Sequence, residues 1–173
     1  MTETVVSQNI GLDSLLIERA TPEHVPYLRQ LKLAVMRDRY QPAEDAEEFE
    51  RWRLAHCTDE YFANLIDSPK SMVLCIGSLR EPVGMVILNR KGNSVLEIDD
   101  LLTLHARRGD GTRLLTAALR YAEAWHINTV SIDVYPGHRG VEKFLAVHEF
   151  TQVGETCNDI GRPMHQWGRQ VQH

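Results

Sequence analysis

A mixed α/β sheet with flanking helices is the fold class this chain predicts, on two observations. Strand-length apolar runs alternate with segments of helical periodicity, and three strand-like runs follow one another before the next helix intervenes. A doubly wound fold would instead alternate strand and helix throughout. The chain has 173 residues, 43% of them apolar, enough for one domain with a substantial core and no disulfide or metal staple.

Met1 to Asp13 is polar and aperiodic and is expected to be a disordered leader, with residues 14–173 forming a single domain. Leu15 to Arg19 is a first short strand. Thr21-Pro22 opens a helix, because Thr caps well and Pro suits the first helical position; Val25, Leu28, Leu31, Val35 and Met36 follow at helical spacing. Gln41-Pro42 ends it. Asp45 to His56 is a second helix, acidic early at Glu47 and Glu48 and basic later at Arg51 and Arg53, as the macrodipole favours. Phe49, Trp52 and Leu54 are its candidates for burial. Thr58-Asp59-Glu60 starts a third helical piece with Phe62, Leu65 and Ile66 inward, closed by Ser68-Pro69.

Strands follow over Met72 to Ser78 and Val83 to Asn89, joined by a hairpin-like connection from Leu79 to Pro82. Lys91-Gly92-Asn93 turns into a third strand, Val95 to Leu104. Thr112 to Trp125 is a helix with Leu115, Leu119, Ala122 and Trp125 along one side and Arg113, Arg120 and Glu123 outside. Thr129 to Val134 is a strand. Pro136-Gly137 leads into a last helix with Val141, Phe144 and Leu145 inward, and strands near Thr151 to Thr156 and Met164 to Arg169 complete the chain.

The formal charge of −5 argues against nonspecific nucleic-acid binding and is compatible with a cationic substrate, although it also serves plain solubility. Cys57, Cys75 and Cys157 are odd in number and far apart, with no CxxC, so a reducing, cytoplasmic setting fits. Neither a signal peptide nor a membrane-spanning run is visible, so no membrane partner is expected. The histidines lack i, i+4 or HxH clustering, and no metal site is assigned. A GxSxG nucleophile elbow is absent.

The segment Ala106-Arg107-Arg108-Gly109-Asp110-Gly111-Thr112-Arg113-Leu114-Leu115 stands between a strand and a helix. Two glycines one residue apart let backbone N–H groups converge, and the helix start adds partial positive charge suited to a phosphate or pyrophosphate. Arg107 and Arg108 strengthen that preference. By itself such a turn is also compatible with an ordinary tight connection. On the strand before it stand Glu97, Asp99 and Asp100; alternation puts the first two on one face and Asp100 on the other. By themselves they suit solvent-facing or capping roles as well as work on a bound group. The acidic run Glu44 to Glu50 can attract a cation or form a solvated helix face.

In element order (β-α-α-β-β-β-α-β-α-β-β) and in motif, Leu15 to Arg169 resembles the GNAT superfamily of N-acetyltransferases. The family's Q/R-x-x-G-x-G/A turn corresponds to Ala106 to Gly111, with Ala106 where Gln or Arg is usual, and Leu114-Leu115 falls in the usual place. Val134-Tyr135-Pro136-Gly137-His138 through Phe144-Leu145 resembles the family's N-x-x-A-x-x-F/L-Y segment, with His138 at its Asn, Leu145 at its Tyr, and Glu149-Phe150 for Gly-Phe. The resemblance implies acetyl-CoA as co-substrate and no metal. It implies a pyrophosphate site at Arg107, Arg108, Gly109, Asp110, Gly111 and Thr112 with His138, and a pantetheine contact along Leu101, Leu102 and Thr103. It further implies direct attack of an amine on the thioester, with Glu97, Asp99 or Asp100 as base or orienting group.

A Leu at the Tyr position leaves the thiolate without its usual acid, a loss worth about 10²- to 10⁴-fold, although a thiol of pKa near 8.5 remains a tolerable leaving group. Tyr135 and His138 are candidates to replace it, against plain roles in packing and capping. The expected partner is a small-molecule primary amine, with no nucleic acid or membrane involved, and the resemblance leaves room for a homodimer. A noncatalytic CoA-binding sensor or interaction module is the alternative reading.

Overall fold

The computed structural model describes residues 16–39, 46–105, 108–136, 139–158 and 161–172. Among the described residues seven strands form one sheet in the order β1-β2-β3-β4-β5-β7-β6. The strands are β1 (Ile17–Arg19), β2 (Ser71–Gly77), β3 (Pro82–Lys91), β4 (Val95–Thr103), β5 (Thr129–Val134), β6 (Thr151–Cys157) and β7 (Pro163–Gln170). The helices are α1 (Val25–Arg39), α2 (Ala46–His56), α3 (Asp59–Asp67), α4 (Asp110–Ala124) and α5 (Arg139–Val147). This is the mixed α/β architecture expected. The expected leader lies outside the described residues. The chain divides into two compact units, Met1–Ile87 with Asp100–Leu115, and Leu88–Asp99 with Thr116–His173.

In the first unit a short 3₁₀ turn, Pro22–His24, precedes α1. Thr21 N–H donates to His24 Nδ1 at 3.0 Å, which fixes the entry to the helix. Val25, Leu28, Leu31 and Val35 of α1 are buried against Phe62 of α3, Val73 and Cys75 of β2, Met85 and Ile87 of β3, and Leu102 of β4. Burial of such side chains contributes roughly 1.5–3 kcal/mol each, the main attraction holding helix to sheet. Thr58 caps α3 by accepting from Tyr61 N–H at 3.0 Å.

Helix α2 has no fully buried residue. Leu54, expected inward, is 60% exposed, because two residues beyond Trp52 it has turned about 200° around the axis. Phe49 and Trp52 share a face and stack at 5.6 Å.

In the second unit β4 pairs in parallel with β5 over Val95↔Thr129 to Ile98↔Ile132. On its other edge β5 pairs antiparallel with β7 from Thr129↔Gln170 to Val134↔His165. Strands β6 and β7 pair antiparallel, with a register shift between Gln152 and Gly154. Leu145 is the fully buried residue of α5. Val141, expected inward, is 37% exposed, since a first-turn side chain leans back past the helix end.

Candidate active site

Strand β4 delivers its C-terminal end, within the first unit, to the turn that opens α4. Leu104 N–H donates to Val83 O at 2.8 Å and ties the strand end to β3. Gly84 of β3 sets how closely the next helix approaches. A Cβ there would meet Ile76 Cγ2 at 3.0 Å, Leu102 O at 3.1 Å and Leu114 Cδ1 at 3.1 Å, so only glycine lets Leu114 of α4 rest on the strands.

The helix begins at Asp110, two residues earlier than expected. Among the described residues of the turn, Gly109 alone makes the left-handed step, at φ +84°, and its carbonyl accepts from Arg113 N–H at 3.1 Å as the first rung of the helical ladder. Gly111 therefore lies inside the first turn. The amides of Asp110 and Gly111 precede that ladder, which gives the turn its preference for an anion.

Arg108, Gly109 and Thr112 are exposed and Gly111 is half-buried, so these expected cofactor residues come together on one accessible turn. Asp110 is the exception. It is 2% exposed, its Oδ1 lies 4.0 Å from Arg113 Nη1, and its Oδ2 has no hydrogen-bond partner among the described residues. The carboxylate faces inward and does not join the exposed surface of the turn. Leu101 and Thr103 are half-buried and Leu102 is core, packed with the α1 cluster. Ala106, Arg107 and His138 lie outside the described residues.

Of the carboxylates, Asp100 lies in the first unit. Its Oδ2 is 2.7 Å from Nζ of Lys32, an α1 residue only 1% exposed, while the Asp100 side chain keeps 25% exposure. The ammonium stands 4.6 Å from the centroid of Tyr61, 5.4 Å from Trp52 and 5.7 Å from Phe62. Three ring faces and one carboxylate satisfy a charge that burial alone would make costly. Cys57, beside this group, donates its S–H to Arg29 O at 3.5 Å, and burial pushes its thiol above the usual range.

In the second unit Glu97 is half-buried, 3.7 Å from Lys91 Nζ, and Asp99 is exposed. Asp133 of β5 is raised above the ordinary carboxylate value, by desolvation first and by the charge of Glu97 second. Tyr135 follows β5, half-buried, and its Oη accepts from Asn158 Nδ2 at 3.0 Å. Leu145 is 0% exposed, a core side chain.

A family model described as the acetyltransferase (GNAT) family matches residues 31–150. The chain belongs to that family. No curated protein matches its sequence. Solved structures of GNAT proteins share the fold at low identity. The PaiA N-acetyltransferase from Thermoplasma acidophilum, solved with coenzyme A, is 16% identical with a TM-score of 0.75, over 91% of this chain and 99% of its own. The ribosomal-protein-S18-alanine N-acetyltransferase from Escherichia coli is 11% identical with a TM-score of 0.69, over 92% and 95%. An aminoglycoside 6'-acetyltransferase of type Ii is 16% identical with a TM-score of 0.66, over 91% and 98%.

Lys32 is the residue of this GNAT chain that the sequence reading missed. It interrupts an apolar stripe, four residues after Leu28 and three before Val35, and a cation in such a stripe asks for a buried partner. Among the described residues no cluster of three metal-ligating side chains occurs, and no helix is long and apolar enough to cross a membrane.

Proposed function

We propose that the chain is an acetyl-CoA-dependent N-acetyltransferase that moves the acetyl group to a primary amine of a small molecule, by direct attack in a ternary complex. The observation that carries this reading is the turn from Arg108 to Thr112. A left-handed glycine, an exposed arginine and the start of a 15-residue helix meet there, and that combination suits a pyrophosphate. The GNAT family match and the coenzyme A bound to a structural neighbour support the same reading.

Acetyl-CoA supplies an activated carbonyl on a leaving thiolate. Toward it, Arg108 and the α4 amides hold the diphosphate, and the backbone of Leu101 to Thr103 holds the pantetheine arm. The attacking amine must be neutral. It forms the new C–N bond as the C–S bond breaks, and its proton passes to a carboxylate of β4 or to water, while the thiolate leaves with or without help from Tyr135. His138 and Arg107 complete the proposed cofactor contacts. Free thiols at Cys57, Cys75 and Cys157 fit a cytoplasmic setting.

The test follows free thiol from acetyl-CoA with tyramine, spermidine, kanamycin and a Gly-Leu-Phe tripeptide as acceptors, alongside thermal shifts with CoA. Thiol release above the amine-free rate with tyramine, spermidine or kanamycin supports a small-molecule acetyltransferase; release with the tripeptide alone redirects the acceptor to peptide N-termini. One observation favours the second reading, a noncatalytic CoA sensor: Leu145 is core where the family carries its acid. CoA binding without thiol release for any acceptor selects that reading, and no CoA binding removes both.

A further inference from the structure

The pair of Lys32 and Asp100 changes what Asp100 can do. An aspartate beside the candidate pantetheine strand has two uses toward an incoming ammonium. It can take the proton, or it can accept a hydrogen bond and fix the direction of the nitrogen. Proton transfer needs a carboxylate that is readily neutralised. Here Oδ2 is engaged at 2.7 Å by an ammonium buried to 1% exposure, so protonating Asp100 would leave Lys32 charged in an apolar enclosure with its counter-ion gone. The geometry opposes the base role and leaves the orienting one, because a quarter of the Asp100 side chain remains exposed.

The rings explain why Lys32 stays where it is. Tyr61 and Phe62 come from α3 and Trp52 from α2, and their faces surround Nζ at 4.6, 5.7 and 5.4 Å. The aromatic series continues from Phe49 to Trp52, His56, Tyr61 and Phe62 at centroid separations of 5.6, 6.4, 5.7 and 5.3 Å. Lys32 thus occupies the cation seat of this cage, and an acceptor ammonium cannot take it. Among the described residues the titratable groups around the pair are Cys57, between α2 and α3, Tyr61 on α3, and His56 of α2, which packs on Trp52 and Tyr61; Arg29 of α1 and Arg53 of α2 act on the Cys57 thiol.

We propose that Lys32 is a positioning residue for the acceptor: by clamping one oxygen of Asp100 inside the ring of Trp52, Tyr61 and Phe62, it holds the other oxygen to receive an N–H of the amine, so that Asp100 orients the nucleophile and does not take its proton. The proposal rests on the acetyltransferase reading above.

The experiment compares wild type, K32M, D100N and the double variant, using the panel amine with the highest kcat/KM. D100N leaves the buried Lys32 ammonium without its counter-ion and K32M leaves the half-buried Asp100 carboxylate without its cation, so either single variant risks unfolding, whereas the double variant removes both charges and keeps the comparison open. Each single variant is expected to raise the amine KM about tenfold while leaving the acetyl-CoA KM unchanged, and the double variant to be no worse than D100N. D100N is expected to retain the acid limb of the kcat/KM profile at its wild-type pH. An unchanged amine KM in both D100N and the double variant, a double variant additive in its effects, or loss of the acid limb in D100N overturns the proposal while the acetyltransferase reading stands. Absence of thiol release from wild type overturns that reading first, and this one with it.

Discussion

Asp133 stands diagonally across the β4–β5 ladder from Glu97: Glu97 pairs with Ser131, and Asp133 is the next residue on that face of β5. The folded-state pKa of Asp133 is raised, by lost hydration first and by Glu97 second. The folded chain therefore holds this proton at pH values where the unfolded chain has released it, and the carboxylate subtracts stability as pH rises from its unfolded pKa through its folded one. D133N is expected to raise Tm at pH 7, with the gain disappearing below the ordinary Asp range. E97Q is expected to lower the Asp133 pKa part of the way, read by carboxyl NMR titration. A Tm gain of equal size at every pH would disprove the electrostatic origin.

Gly109 makes its left-handed step where a Cβ would meet no described residue within 4 Å, so substitution there costs conformation and not space. G109A is expected to lose about 1–2 kcal/mol of stability, whereas Asn, which tolerates this region, loses less. CoA affinity, measured calorimetrically, is expected to fall in the same order. Equal affinity in all three proteins would detach the turn from the coenzyme.

Placing at position 145 the Tyr that the resemblance implies there is expected to fail. Leu145 has no exposed surface, and the larger, hydroxylated ring would overpack α5 by about 1–3 kcal/mol. L145Y should melt lower than wild type with no increase in kcat. A faster enzyme of unchanged Tm would show that the position opens toward the leaving thiolate after all.

Gly84 offers a test of how the turn is held. Alanine there pushes on Leu102 O and Leu114 Cδ1, both at 3.1 Å, and the carbonyl belongs to backbone that cannot give way cheaply. G84A is expected to cost about 1–3 kcal/mol and to weaken CoA binding without touching any residue of the turn. Lost stability with full affinity would mean that the spacing of α4 from β3 is immaterial to the cradle.

Most elements were legible because their periodicity is strong and their ends carry caps, as at Thr58, whose hydroxyl accepts from Tyr61 N–H. The start of α4 was displaced because two glycines suggest a longer turn, whereas the backbone needs a single left-handed residue. Leu54 and Val141 were misjudged for a related reason: hydrophobicity marks a residue for burial, but only neighbouring elements decide whether a helix face or end is covered. The Gly-rich turn was local in sequence and could be found there. Lys32 and Asp100 are far apart along the chain, and their meeting depends on how α1 lies against β4.

The three cysteines give this protein a reporter of its own opening. Cys57 and Cys75 are buried, the latter with its thiol pushed up to about 12, while Cys157 is exposed. A thiol reagent should label Cys157 at once and the other two only after local unfolding. Cys57 is uncovered when α2 and α3 lift from α1, whereas Cys75 lies under α1 and is reached only when that helix leaves the sheet, so the two labelling rates would order these events in time. Any thiol-detecting assay of CoA release should accordingly show a single fast equivalent of protein background, and a second would announce that the helical layer has begun to loosen.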